Sequence, residues 1–72
     1  MLEFFLRDNG FRLVGDTWTR QNLTARGLLD LNIRPLPGDR FDVSLWDGKR
    51  QLAAATQGQK TMLETVSMFL TA

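Results

Sequence analysis

The stretch Phe41-Asp42-Val43-Ser44-Leu45-Trp46-Asp47-Gly48-Lys49-Arg50-Gln51-Leu52-Ala53-Ala54-Ala55 decides the fold class. Asp-Gly between alternating apolar residues is the signature of a two-residue hairpin turn of type I′, which needs positive φ at both central positions. Counting outward from Asp47-Gly48 pairs Trp46 with Lys49, Leu45 with Arg50, Ser44 with Gln51, Val43 with Leu52 and Phe41 with Ala54. Directly opposed residues share a face. Phe41, Val43, Leu45, Leu52 and Ala54 therefore make one apolar side, closed at the turn by Arg50. Asp42, Ser44, Trp46, Lys49, Gln51 and Ala53 make the other. A slip of one residue would undo this sorting, so the register is expected to be well specified.

Working outward, residues 28–34 also alternate. Leu29, Leu31 and Ile33 fall on one face and Leu28, Asp30, Asn32 and Arg34 on the other, as in a half-buried strand. Arg34-Pro35-Leu36-Pro37-Gly38-Asp39 interrupts it, and Pro37-Gly38 fits the centre of a type II turn. This segment reads as a plain connector. A Pro-x-Pro ligand would need the longer PxxP repeat. Further upstream, Thr17-Trp18-Thr19 has strand composition, with Trp18 expected in the core. Gly15 suggests a bulge or bend, and Gln21-Asn22 a turn.

Both ends read as helices. Leu2, Phe5 and Leu6 sit at i, i+3, i+4, and Glu3 precedes Arg7 by four residues, the favourable order. Asn9-Gly10 ends this helix if Gly10 takes the left-handed conformation and Phe11 folds back on the last turn. Asn9-Gly10 could also turn a hairpin, which would oppose Arg7 to Arg12, a like-charge pair. At the other end Met62, Leu63, Val66, Phe69 and Leu70 form an apolar stripe wide enough to cover a sheet. Thr56 with Gln59, or Thr61 with Glu64, offers a capping box, the first starting the helix near residue 57. Phe4 and Met68 fall off these apolar faces, either incidentally or as a dimer contact. The fold expected is α+β: a short N-terminal helix, a three- or four-stranded antiparallel meander, and a C-terminal amphipathic helix packed on one sheet face. Residues 1–72 make one small domain.

The chain contains no histidine, cysteine or tyrosine. Those side chains do most acid–base, nucleophilic and metal chemistry near neutral pH. Without cysteine and histidine there is no disulfide and no ordinary zinc site. Carboxylate chemistry would need two acids across a cleft. The candidates are Asp39 with Asp42, or Asp30 with either, and each is explained by a turn or a solvent face. Calcium needs oxygen ligands at alternate positions of one loop, whereas Asp39, Asp42 and Asp47 are divided among a loop, a strand and a turn. There is no Gly-rich phosphate motif, so no cofactor and no metal are expected.

Nine basic residues balance eight acidic ones, and no basic block marks a nucleic-acid arm. Seven of the nine are arginine, the better partner for carboxylate or phosphate, although a codon bias explains this equally. No apolar run approaches the ~18 residues of a membrane span, and charges interrupt the first residues where a signal peptide would be apolar. A cytoplasmic protein is expected. The small core makes self-association into a homodimer a candidate state.

The candidate partner-binding set is Trp46 and Lys49 on the outer side of the hairpin, with Arg50 close by and Arg34 near them if the strands are adjacent. An exposed tryptophan flanked by cations suits a protein-binding hot spot. It also suits a base-stacking platform beside phosphates. The reading favoured is a non-enzymatic protein-interaction domain. In size and composition alone it resembles short accessory proteins, including phage-encoded regulators and inhibitors. A nucleic-acid-binding module using the Trp46/Lys49/Arg50 tip is the alternative, and a small carboxylate hydrolase a distant one.

Overall fold

The computed structural model describes residues 2–72. Helix α1 (Leu2–Asp8) leads into strands β1 (Arg12–Val14), β2 (Thr17–Thr24), β3 (Gly27–Leu36), β4 (Arg40–Asp47) and β5 (Arg50–Gly58), and helix α2 (Gln59–Thr71) follows. The strands form one antiparallel meander in the order β1-β2-β3-β4-β5. The α+β class, the meander and both helices agree with the sequence. The sheet has five strands where three or four were expected.

Gly10 ends α1 as a helix and does not turn a hairpin. Its φ is +82°, its N–H donates to the Arg7 carbonyl (3.0 Å), and the Phe11 N–H donates to the Leu6 carbonyl (2.9 Å). These are the two bonds of a Schellman motif, which brings the following apolar residue back onto the helix. Phe11 is accordingly buried.

The extra strands come from turns that the sequence disguises. Gln21-Asn22 is not a turn but the middle of β2, where Gln21 pairs with Asp30 and Asn22 with Leu29. The reversal comes at Ala25-Arg26, between Thr24 and its partner Gly27. Ala-Arg carries no turn signal. The Thr24 hydroxyl holds the turn instead, donating to the Gly27 carbonyl (2.9 Å) and accepting the Arg26 N–H (3.0 Å). Gly15-Asp16 is a full hairpin turn between Val14 and Thr17, making β1 a separate strand. β3 does not break at Arg34 but runs through Pro35 and Leu36. Pro35 is tolerated because β3 has outrun β2 there: the β2 ladder stops at Trp18–Ile33, so no bond to β2 needs the missing N–H.

The central hairpin forms with a different register. Its two-residue turn is Gly48-Lys49, with Asp47 opposite Arg50 and Trp46 opposite Gln51. Gly48 has φ +59° while Asp47 has no positive φ, so the turn takes glycine first and the Asp-Gly type I′ geometry does not arise. A bulge follows between Leu45 and Trp46, beyond which Leu45 pairs with Ala53, Ser44 with Ala54 and Val43 with Ala55. Leu52 still packs against the core, as expected. Ala53 and Ala54 exchange faces relative to the expected sorting, because the extra residue inverts the alternation.

The core is Leu6, Phe11 and Trp18 with Leu29, Leu31, Ile33, Phe41 and Val43, covered by Met62, Val66 and Phe69 of α2. Both helices lie on this one face. Arg20 and Asn22 stand on the same face of β2, polar residues in an apolar setting, and each satisfies a helix C-terminal carbonyl. Arg20 Nη1 donates to the Asn9 carbonyl just past α1, and Asn22 Nδ2 donates to the Phe69 carbonyl of α2 (2.9 Å). The last carbonyls of a helix lack intrahelical partners, and these two side chains supply them. Neither expected capping box forms. Thr56 lies within β5, Thr61 lies inside the helix, and α2 starts at Gln59 behind Gly58, which makes no side-chain cap.

Candidate functional site

The tip residues expected to act together are only partly assembled. Trp46 lies on the face away from the helices, half-buried, with Nε1 donating to Ser44 Oγ (2.9 Å). Its cross-strand partners are Asp30 on β3 and Gln51 on β5, not Lys49. Lys49 occupies the turn and, with Trp46 and Asp30, lines a shallow depression. Arg50 opposes Asp47, one step along the strand and hence on the alternate side from Trp46. Arg34 is engaged elsewhere, bonded to its cross-strand partner Asp42 (3.0 Å). Arg34 lies four residue steps from Asp30 on β3, which is about 13 Å of strand. The cations and the tryptophan thus do not converge, and Asp30 and Asp47 sit among them.

The other side of the sheet holds a feature the sequence did not disclose. α2 packs against β2, β4 and the C-terminal end of β5, where the Thr65 hydroxyl donates to Gln57 Oε1 (3.0 Å), but it leaves the alanine segment of β5 open. There an apolar groove of about 580 Å³ lies between helix and sheet. Leu31 and Leu45 form its floor, Ala53 and Ala55 the β5 side, and Phe69 and Met68 the helix side. The small side chains at the middle of β5 make the groove: the methyls of Ala53 and Ala55 are too short to fill the space to α2, whereas Gln57 reaches it. Met68, 72% exposed on the rim, is the largest apolar residue there without cover.

The groove opens onto a free sheet edge. β5 is the last strand of the sheet, so among the described residues its outward N–H and C=O groups have no partner strand. Its residues from Gln51 to Gly58 carry no charge. Two signals in the sequence could have marked this edge: the uncharged run from Gln51 to Gln59, and three consecutive alanines where a covered strand would carry larger side chains. Both were hidden by the hairpin register, which placed Ala54 in the core.

Among the described residues no three histidine, cysteine, aspartate or glutamate side chains cluster as a metal site would require, and no helix is long and apolar enough to cross a membrane. No protein-family model, curated protein sequence or solved structure matches the chain.

Proposed function

We propose that this chain is a non-enzymatic protein-interaction domain that accepts an extended strand of a protein partner along β5, with the adjoining groove taking the partner's apolar side chains. The observation that carries this reading is the coincidence of the uncharged β5 edge with the apolar groove beside it. Strand addition uses these two parts: main-chain bonds supply affinity, and pockets beside the edge supply selectivity. The contact surface is then the strand edge beside the hairpin tip and not the tip itself. The tip is less suited to nucleic acid than the sequence suggested, because Asp30 shares the Trp46 depression and Asp47 opposes Arg50. Carboxylates there weaken a phosphate-tracking field. A carboxylate hydrolase is also poorly served. Asp42 is tied to Arg34, whose position lies about 13 Å along β3 from Asp30, beyond the ~6.5–9.5 Å that an inverting pair spans.

Site-specific photo-cross-linking in cells of the source organism tests the reading. A photoreactive residue at Ala55 is expected to give polypeptide adducts, while the same probe at Lys49 gives none. Adducts from Lys49 but not Ala55 would return the contact surface to the tip. Nucleic-acid adducts from Lys49 would favour the alternative function.

A further inference from the structure

The two edges of the sheet are built differently. β1 is three residues long, begins with Arg12 and offers little to a second sheet. β5 is nine residues long and has its only charge at its first residue, Arg50. Proteins protect edges by making them short or charged, and a long uncharged edge is a template for another strand.

The sequence of β5 also reads almost the same in both directions: Gln51-Leu52-Ala53-Ala54-Ala55-Thr56-Gln57. Antiparallel pairing of this strand with itself about Ala54 sets Ala54 against the partner's Ala54 and Ala53 against the partner's Ala55. Leu52 meets the partner's Thr56, Gln51 the partner's Gln57, and Arg50 the partner's Gly58. Every cross-strand pair joins residues of the same or compatible kind, and no charge faces a like charge. A two-fold interface must be self-complementary in this way. We propose that two copies of this chain pair through β5 about a two-fold axis at Ala54, joining two five-stranded sheets into one of ten strands.

Local geometry supports that centre. Ala53, Ala54 and Ala55 pair regularly with Leu45, Ser44 and Val43, so the middle of the seam is undistorted, and the bulge at Leu52 lies toward its end. An axis perpendicular to the sheet keeps all four helices on one side. The two open grooves then meet, and Met68 of each copy lines the joined space with the methyls of Ala53 and Ala55. The seam thereby gives the free edge its bonds and the 72%-exposed Met68 a place to be covered. This inference rests on strand addition at β5 and specifies the strand that is added.

Light scattering on the purified chain should give twice the chain mass at high concentration, falling to one on dilution. Ala54→Lys and Ala54→Glu each place a like charge against itself at the axis, and each should weaken the dimer at least about tenfold. An equimolar mixture of the two variants should restore it, since lysine then faces glutamate. Ala54 is exposed, so both variants are expected to fold, checked by far-ultraviolet circular dichroism. A wild-type chain that stays monomeric, variants that dimerise as well as wild type, or a mixture no better than its components would each overturn the proposal. A monomer that still cross-links to a different polypeptide from Ala55 overturns the second copy as occupant alone. Loss of that cross-link overturns strand addition itself.

Discussion

Asn22 is the residue whose role the structure changes most, and replacing it by aspartate is expected to destabilise the fold in a pH-dependent way. In the wild type Asn22 Nδ2 donates to the Phe69 carbonyl at 2.9 Å from a half-buried position on β2. Among the described residues the only other donor to that oxygen is the Ala72 N–H at 3.5 Å, a weak bond. Asn22→Ala removes one hydrogen bond, which costs about 1 kcal/mol. In a domain of this size that lowers the melting temperature by about 4–8 °C. Asn22→Asp keeps the shape but aims a carboxylate at a carbonyl and at the negative end of α2. The lost bond and the helix-dipole repulsion together cost about 2 kcal/mol at neutral pH. The new acid is charged less readily in the folded than in the unfolded chain, so its folded pKa is raised. Its penalty is absent below the unfolded aspartate pKa, grows as pH rises, and is complete above the folded pKa. Below that window the protonated acid can donate as asparagine does. Thermal melts of wild type, Asn22→Ala and Asn22→Asp across acid and neutral pH measure this. Asn22→Asp should be the least stable at neutral pH and should match or exceed Asn22→Ala in acid. If Asn22→Asp melts with the wild type at neutral pH, Asn22 does not anchor α2 and the docking of the helix has been misread.

Gly10→Ala forces a side chain into φ +82° and brings its Cβ within 2.6 Å of Arg20 Nη1. It is expected to cost more than about 1 kcal/mol, seen as a lower denaturation midpoint. Met62, on the sheet-facing side of α2, is fully buried. Met62→Ala should cost about 2–5 kcal/mol, comparable with the ~3–5 kcal/mol a core this small supplies, and leave a largely unfolded chain by amide NMR dispersion.

The parts of the fold legible in the sequence are those with a strong period. The α2 stripe, the Leu29/Leu31/Ile33 alternation and Trp18 in the core all follow from local pattern, because burial and backbone conformation there act on the same residues, whereas Asn9-Gly10 fits a helix end and a hairpin turn alike and only the structure decides between them. The failures share a different cause. Asn22 looks like a turn residue because its partner, the Phe69 carbonyl, is 47 residues away and invisible to local reading. Ala25-Arg26 carries no local turn signal because the turn is held by the Thr24 hydroxyl rather than by turn-forming residues at its centre. The central hairpin was located correctly and registered wrongly. Glycine at the first turn position moved the turn by one residue, and the bulge at Leu52 moved the far half of β5 by another. That last error matters for function. It placed Ala54 in the core and concealed both the groove and the strand whose sequence mirrors itself.

The meeting of β5 with a second β5 at Ala54 can be read by a cysteine scan, since the chain contains no cysteine of its own. Single cysteines are placed at residues 53, 54, 55 and, as a control, 49, and each variant is oxidised mildly and run without reductant. At the axis a residue faces itself with Cα atoms about 4.5–5.5 Å apart, inside the range a disulfide spans. One residue to either side, the same residues of the two copies lie about 8 Å apart, beyond that range. Cysteine at 54 should give a covalent dimer fastest, with 53 and 55 slower and 49 slowest. Equal slow cross-linking at every position, or fastest cross-linking at 49, would contradict it.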